Sequence, residues 1–474
     1  MIRQLLGSRR VCLGCGLVVD GSGLWPRCPQ AGDGGEHVLV RELDEARVLF
    51  GVRGDPHHPD RPFLRWRHRL HAWHMAHGLG WSDAAFVELV SRLERQIAEV
   101  DGHPFVVTPL VHARELEARL GMSGRLYIKD ETHNVAGSHK ARHLMGILLV
   151  MEVLGTGHDR LLAIASCGNA ALAAGVLAQA SRRCIRVFVP PDASPRIVSR
   201  VKELRAAGVT CTRAPGERGD PCVTRFRAAV RDGALPFTVQ GPDNGLAIEG
   251  GETLGWEIVN QLDGATLDRI FVQVGGGALG SALGRALQQA LRTGVMTRLP
   301  RIHPVQTRAV APFARAYERL ARRLDQALGG VALPPDPLDQ SAGAVAFRAA
   351  RAERLARVFK QELVQGAVRS VVRVRGEIMW PWESPGTSAA HGILDDETYD
   401  WLALAAATLE SGGFPVVVDE ATVRHANTLG VEATGIDADA TGTAGLAGLL
   451  ALRAADGLSP EESVSVLFTG VRRA

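Results

Sequence analysis

The stretch that most restricts what this chain can become is residues 126–144, LYIKDETHNVAGSHKARHL. An apolar run, Leu126-Tyr127-Ile128, stops at Lys129-Asp130-Glu131. A turn with Asn134 and Gly137 follows, and Ser138-His139-Lys140 opens a helical run through Leu144 to Val150. Strand, tight turn and helix start is the order this implies. Lys140 then stands at the positive end of a helix dipole, which disfavours its ammonium form, and partial burial depresses its pKa further. A neutral amine in a pocket is what Schiff-base chemistry needs. A solvated lysine at a helix start is the rival reading of this stretch taken alone.

Two later stretches repeat the pattern. In residues 162–176, LAIASCGNAALAAGV, an apolar run meets the turn Ser166-Cys167-Gly168-Asn169, and an Ala-rich helix begins at Ala170. Backbone N–H groups at such a helix start suit a carboxylate. In residues 270–284, IFVQVGGGALGSALG, a strand-like run leads into Gly275-Gly276-Gly277-Ala278-Leu279-Gly280 and another small-residue helix. Glycines let the backbone wrap an anion closely, and the helix dipole adds to the attraction. The run matches neither G-x-G-x-x-G after a first strand nor G-x-x-x-x-G-K-[ST], which argues against a nucleotide. Across residues 145–250, apolar runs at 161–165, 185–189 and 208–212 alternate with helical runs at 170–182 and 194–207. That alternation predicts a parallel sheet with crossover helices.

Together the three stretches resemble the fold-type II family of pyridoxal-phosphate enzymes, the tryptophan synthase β superfamily, and within it the threonine synthase-like proteins. The resemblance implies an α/β fold of two open parallel-sheet subdomains. It implies that Lys140 binds pyridoxal 5'-phosphate as a Schiff base and later acts as general base. It implies that Ser166, Cys167, Gly168 and Asn169 receive the substrate carboxylate, with Asn169 also touching the cofactor ring. Gly275, Gly276, Gly277, Ala278, Leu279 and Gly280 would cradle the cofactor phosphate. In the terminal run VSVLFTGVRRA, Thr469 would face the pyridine nitrogen. A neutral hydroxyl there favours rapid loss of a leaving group over transamination. The implied reaction is elimination or replacement at Cβ or Cγ of a small amino acid, with Arg142 meeting an anionic leaving group such as a phosphate. Val135-Ala136, His139 and Ala141 depart from the threonine synthase pattern, and Ser138-His139-Lys140 is similar to the tryptophan synthase β chain. A serine/threonine dehydratase or ammonia-lyase, and an inactive cofactor-binding regulatory protein, stay open beside the threonine synthase-like reading. Relatives imply a homodimer.

The N-terminal 40 residues hold Cys12-Leu-Gly-Cys15 and, after twelve residues, Cys28. Cys-x-x-Cys is a zinc-ribbon half-site. Ala31 stands where a fourth cysteine is expected, so His37 or Asp33 would complete a Zn2+ site; metal-free thiols are the alternative. Residues 1–40 are therefore read as a zinc-ribbon-like extension, 41–101 as a helical wrap and 102–474 as the catalytic domain. Within the last, a smaller subdomain covers roughly 142–250 and a helical insertion roughly 308–375. The histidines at 68, 71, 74 and 77 read as the rim of an aromatic, partly buried helix. Glu249 and Glu252 read as solvated helix residues. Glu383 and His391, in a segment with two tryptophans, are candidates for substrate recognition or proton transfer.

With 474 residues, 46% hydrophobic and 22% charged, the chain can bury a large core. A net charge of +3 implies no nucleic-acid partner. No apolar run reaches the length of a membrane span and the start lacks a signal-peptide core, so a cytoplasmic protein away from membranes is expected. Seven scattered cysteines do not make a disulfide framework.

Overall fold

Branched apolar runs bounded by small-residue turns form the strands in this computed structural model. It describes residues 7–473 apart from 22, 33, 215, 218, 331 and 332. Asp33, one of the two candidate fourth ligands, lies outside the described residues. Contacts along the chain define two units. The first comprises Met1–Gln30, His37–Val107 and Asn134–Glu257, and the second Ala31–Glu36, Thr108–His133 and Ile258–Ala474. The N-terminal stretch and the 41–101 segment thus share a unit with residues 134–257.

The first unit carries a four-stranded parallel sheet in the order Ala207–Thr210, Ile185–Val189, Leu162–Ala165, Leu235–Pro236. The strand and helix positions expected for 145–250 are met to within a few residues. Helices Lys140–Val153 and Asn169–Ala180 are buried almost all round, which is why neither shows a polar stripe in sequence. Alanine and glycine let such helices sit close: a side chain on Gly175 would begin 3.0 Å from Leu204 Cδ1. The N-terminal stretch folds as a three-stranded antiparallel sheet, Val18–Val19, Ser8–Cys12, Leu39–Leu43. Helix Asp83–Asp101 starts where Ser82 Oγ accepts from Ala85 N at 3.2 Å and stops at left-handed Gly102.

Glu249 and Glu252 are not solvated. They are 3% and 1% exposed and flank Arg41, whose guanidinium hydrogen-bonds Glu252 and lies 3.7 Å from Glu249. Glu249 also accepts from His71 N at 3.0 Å. Surface carboxylates are the common case, but a buried arginine from a distant strand reverses the expectation. His68, His71 and His74 are buried and His77 half-buried, T-stacked or tilted against Trp73 at 68, 74 and 77.

The second unit is built on a six-stranded sheet in the order Val416–Val418, Arg301–Thr307, Arg269–Gln273, Val464–Phe468, Leu126–Asp130, Leu110–His112. Only the last pairing is antiparallel. Ile128, Ile270, Phe271, Val272 and Val466 are all fully buried, each stabilising the unit by about 1.5–3 kcal/mol relative to exposure. Such double-sided burial is why these strands read as continuous apolar runs. The 308–375 region holds helices Pro312–Ala327, Ala342–Val358 and Glu362–Ser370. Among the described residues no helix is long and apolar enough to cross a membrane.

Candidate active site

The first unit presents Lys140 and the Ser166–Asn169 turn. Lys140 is half-buried and is the first residue of helix Lys140–Val153. The turn before it is held tightly. Gly137 N donates to Asn134 O at 2.7 Å, Asn134 Nδ2 to Ser138 O at 3.1 Å, and Ala136 N to Asp101 Oδ2 at 2.8 Å. Ala136 has φ 54°, a left-handed conformation that costs an L-residue about 1–2 kcal/mol. Asp101 offsets that cost. Two residues before Lys140, Ser138 Oγ is buried and finds no hydrogen-bond partner among the described residues. Three residues after Lys140, His143 is fully buried with Nδ1 2.9 Å from Ala247 O. The proton therefore sits on Nδ1, and Nε2 is buried without a partner among the described residues. Burial, and then the nearby charge of Lys140, lower the His143 pKa from 6.5 to about 3.

Arg142 is fully buried against Glu257. Its side chain and that of Glu257 are both 0% exposed, with Nη1 2.6 Å from Glu257 Oε1, Nη2 3.1 Å from Glu257 Oε2 and Nη1 3.1 Å from Thr253 Oγ1. A guanidinium taken out of water needs a bidentate partner, and Glu257 supplies it. Arg142 thereby pins helix Lys140–Val153 to helix Ala247–Gln261.

The Ser166–Asn169 turn follows strand Leu162–Ala165 and opens helix Asn169–Ala180. Cys167 is exposed; Ser166, Gly168 and Asn169 are half-exposed. Gly168 N points at Ser166 Oγ, 3.4 Å away, and a side chain on Gly168 would meet nothing within 4 Å. The tip is open to an incoming group.

The second unit presents the glycine turn and Thr469. Strand Arg269–Gln273 runs into Gly275–Gly277, and helix Ala278–Arg292 starts behind left-handed Gly277, φ 93°. The N–H groups of Gly275 through Gly280 donate to no acceptor among the described residues. Five of those six residues are buried. Buried amides without acceptors are rare, and six in succession at a helix start fit an anion held by backbone. On the other side, the turn is packed by the 393–404 segment. A side chain on Gly275 would collide with the Asp395 carboxylate, and side chains on Gly277 and Gly280 would begin 2.8 Å from Thr398 Cγ2 and 2.7 Å from Leu404 Cδ1. Thr398 Oγ1 donates to Gly275 O at 2.9 Å, and Asp400 N to Gly276 O at 2.9 Å. Thr469, 2% exposed, follows strand Val464–Phe468 and accepts from Gln273 Nε2, which also donates to Gly442 O at 2.7 Å.

Lys129 is no rival to Lys140. It is fully buried, with Nζ 2.6 Å from Thr108 O and 2.9 Å from Gln261 Oε1. Glu383 is largely exposed, 2.7 Å from Arg315 and 2.9 Å from Trp380 Nε1, and His391 is exposed with Nδ1 3.3 Å from Ala389 O. Sequence reasoning gave no site role to Ser138, His143, Gln273 or Asp395, which the structure places in or beside these turns. For Gln273 a signal existed, a lone amide inside an apolar strand.

Two open, mostly parallel α/β sheets, an anion-type glycine turn and a half-buried lysine at a helix start define an α/β enzyme fold of the cofactor-binding kind. A family model described as pyridoxal-phosphate dependent enzyme matches residues 104–369, and the chain belongs to that family, whose members bind pyridoxal phosphate. The threonine synthase of Methanocaldococcus jannaschii is 26% identical over 217 residues, 45% of this chain and 51% of that protein. The threonine synthase of Synechocystis sp. is 27% identical over 206 residues, 44% and 52% respectively. The chain thus spans about half the length of the curated relatives it matches. Among solved structures, the processed form of threonine deaminase isoform 2 from Solanum lycopersicum superposes with TM-score 0.55 at 16% identity, over 83% of this chain and 86% of that one. An L-serine ammonia-lyase from Rhizomucor miehei gives 0.53 at 20% identity, over 77% and 94%. Maize serine racemase gives 0.53 at 16%, over 81% and 94%. At these identities the likeness establishes the fold alone.

Proposed function

We propose that this chain is a threonine synthase-like lyase or synthase that uses pyridoxal phosphate for elimination or replacement at Cβ or Cγ of a small amino acid, working as a cytoplasmic homodimer. The observation that carries the reading is the run of acceptor-less amides at Gly275–Gly280, which calls for a phosphate in a family that binds one. When bound, the cofactor supplies an electron sink that acidifies Cα–H and lets a leaving group depart. Lys140 Nζ would hold the cofactor, and its amine would serve as the base that takes the proton from the substrate Cα. Lys140 is the first residue of helix Lys140–Val153. Ser166 to Asn169 bind and orient the substrate carboxylate through turn and helix-start donors. Thr469, whose hydroxyl accepts from Gln273, would give the cofactor ring a neutral partner. His143, neutral and buried beneath Lys140, adds no second positive charge there.

One observation favours the dehydratase or ammonia-lyase alternative. Arg142 is committed to Glu257 and does not offer itself to a phosphate leaving group. A neutral leaving group needs no such cation. The purified chain, loaded with cofactor, is mixed with O-phosphohomoserine, serine or threonine while its visible spectrum is followed. Phosphate release marks a synthase and a 2-oxo acid marks a dehydratase. A spectrum unmoved by every amino acid tried leaves an inactive cofactor-binding protein and ends the enzymatic proposal.

A further inference from the structure

We propose that Cys12, Cys15, Cys28 and His37 form a structural zinc site that holds the N-terminal sheet together, independently of the cofactor chemistry. The three sulfurs and one imidazole nitrogen all lie within 4.8 Å of one another. Cys15 Sγ and Cys28 Sγ are 3.6 Å apart, and Cys12 Sγ is 3.5 Å from His37 Nδ1. A disulfide needs about 2.05 Å. These separations are instead the edges of a tetrahedron around zinc: Zn–S near 2.3 Å and Zn–N near 2.0 Å give S···S of about 3.8 Å and S···N of about 3.5 Å.

The chain is shaped to present those donors. Cys12 N donates to Leu17 O and Gly16 N to Cys12 O, both at 2.9 Å, closing a knuckle around left-handed Gly16. Amides are aimed at the sulfurs: Gly14 and Cys15 N–H at Cys12, Leu17 N–H at Cys15, Gln30 N–H at Cys28. Such donors suit metal-bound thiolates. Cys12, Cys28 and His37 are 1%, 3% and 7% exposed, so the donor set is closed on three sides by protein. Four protein ligands leave no open position, which marks a structural site rather than a catalytic one, and three thiolates with one imidazole select zinc.

The site sits where it can stiffen the first unit. Cys12 ends strand Ser8–Cys12 and pairs opposite Leu39, so Cys12 and His37 stitch two strands at one end. Two residues from the ligands, Pro26 O accepts from Gly245 N at 3.0 Å, and Arg10 donates to Trp25 O. Arg41, on the partner strand, pairs with Glu252. A metal that locks the knuckle thereby fixes the strand that carries Arg41.

The test is metal analysis of the full-length chain by plasma mass spectrometry. One zinc per chain is expected in the wild type and in Lys140→Ala, and less than a tenth in Cys28→Ser and His37→Ala. In Cys28→Ser, amide exchange across residues 8–43 should quicken at least tenfold, while any visible cofactor absorbance of the wild type persists. The proposal is overturned if the wild type holds under a tenth of an equivalent both as purified and after incubation with zinc chloride and desalting. It is equally overturned if Cys28→Ser or His37→Ala keeps a full equivalent. The wild-type measurement decides even where a variant does not fold.

Discussion

The Lys140 region and the glycine turn solve opposite problems with opposite means. In the proposed function side chains around Lys140 carry the chemistry, and they stand on a scaffold of buried titratable groups: Arg142 on Glu257, Arg41 on Glu252 and Glu249, and a neutral His143 three residues from the lysine. At Gly275–Gly280 the proposed role falls to the backbone, and the scaffold is steric: Thr398, Leu404 and Asp395 occupy the places where side chains would begin. Charged scaffolding should make the first region sensitive to pH and to loss of a single partner. Steric scaffolding should make the second indifferent to pH and intolerant of a single methyl group.

The largest expected effect falls on the chemistry itself. Lys140→Ala should cut turnover by at least about 10²-fold and remove the visible absorbance of the loaded protein, whereas no glycine-turn variant should do both. Retained colour and activity in that variant would dissolve the distinction between the two regions. Next comes the ion pair. Glu257→Gln leaves the Arg142 cation buried without its counter-charge and should cost about 3–5 kcal/mol in chemical denaturation. An unchanged midpoint would mean that Arg142 is free for a ligand after all.

A smaller effect separates the regions by pH. His143 is held at about 3, below its ordinary 6.5, so its contribution is complete above 6.5 and is lost as pH falls. Between pH 6.5 and 5 that loss amounts to about 2 kcal/mol, and His143→Gln should flatten it. Glu249 runs the other way. Burial raises its carboxyl to about 7, so its contribution is complete below its ordinary 4.5 and is lost as pH rises through 7. Denaturation curves of Glu249→Gln across pH 5–8 should lack that decline; a decline of the same size would remove Glu249 from the account. The smallest effect contrasts two glycines. Gly277→Ala, at φ 93° and 2.8 Å from Thr398 Cγ2, should cost about 1–3 kcal/mol and weaken cofactor retention. Gly168→Ala meets nothing within 4 Å and should cost less than about 0.5 kcal/mol, its effect showing in KM. Equal costs would sink the steric half of the comparison.

Local pattern alone sufficed for the strand, turn and helix at 126–144, 162–176 and 270–284, because each signal lies within a few residues. Double-sided burial leaves apolar runs, and glycine marks where φ turns positive. The order of strands in each sheet, the burial of Glu249 and Glu252, and the pairing of Arg142 with Glu257 depended on residues more than a hundred positions away. Composition at those sites resembles an ordinary solvated helix face. Whether a charge meets water or another charge is a property of what packs against it, and only the folded chain supplies that neighbour. The sequence by itself determined the three turns and the residue types standing on them; tertiary structure decided which of those residues are left for chemistry and which are spent holding the others in place.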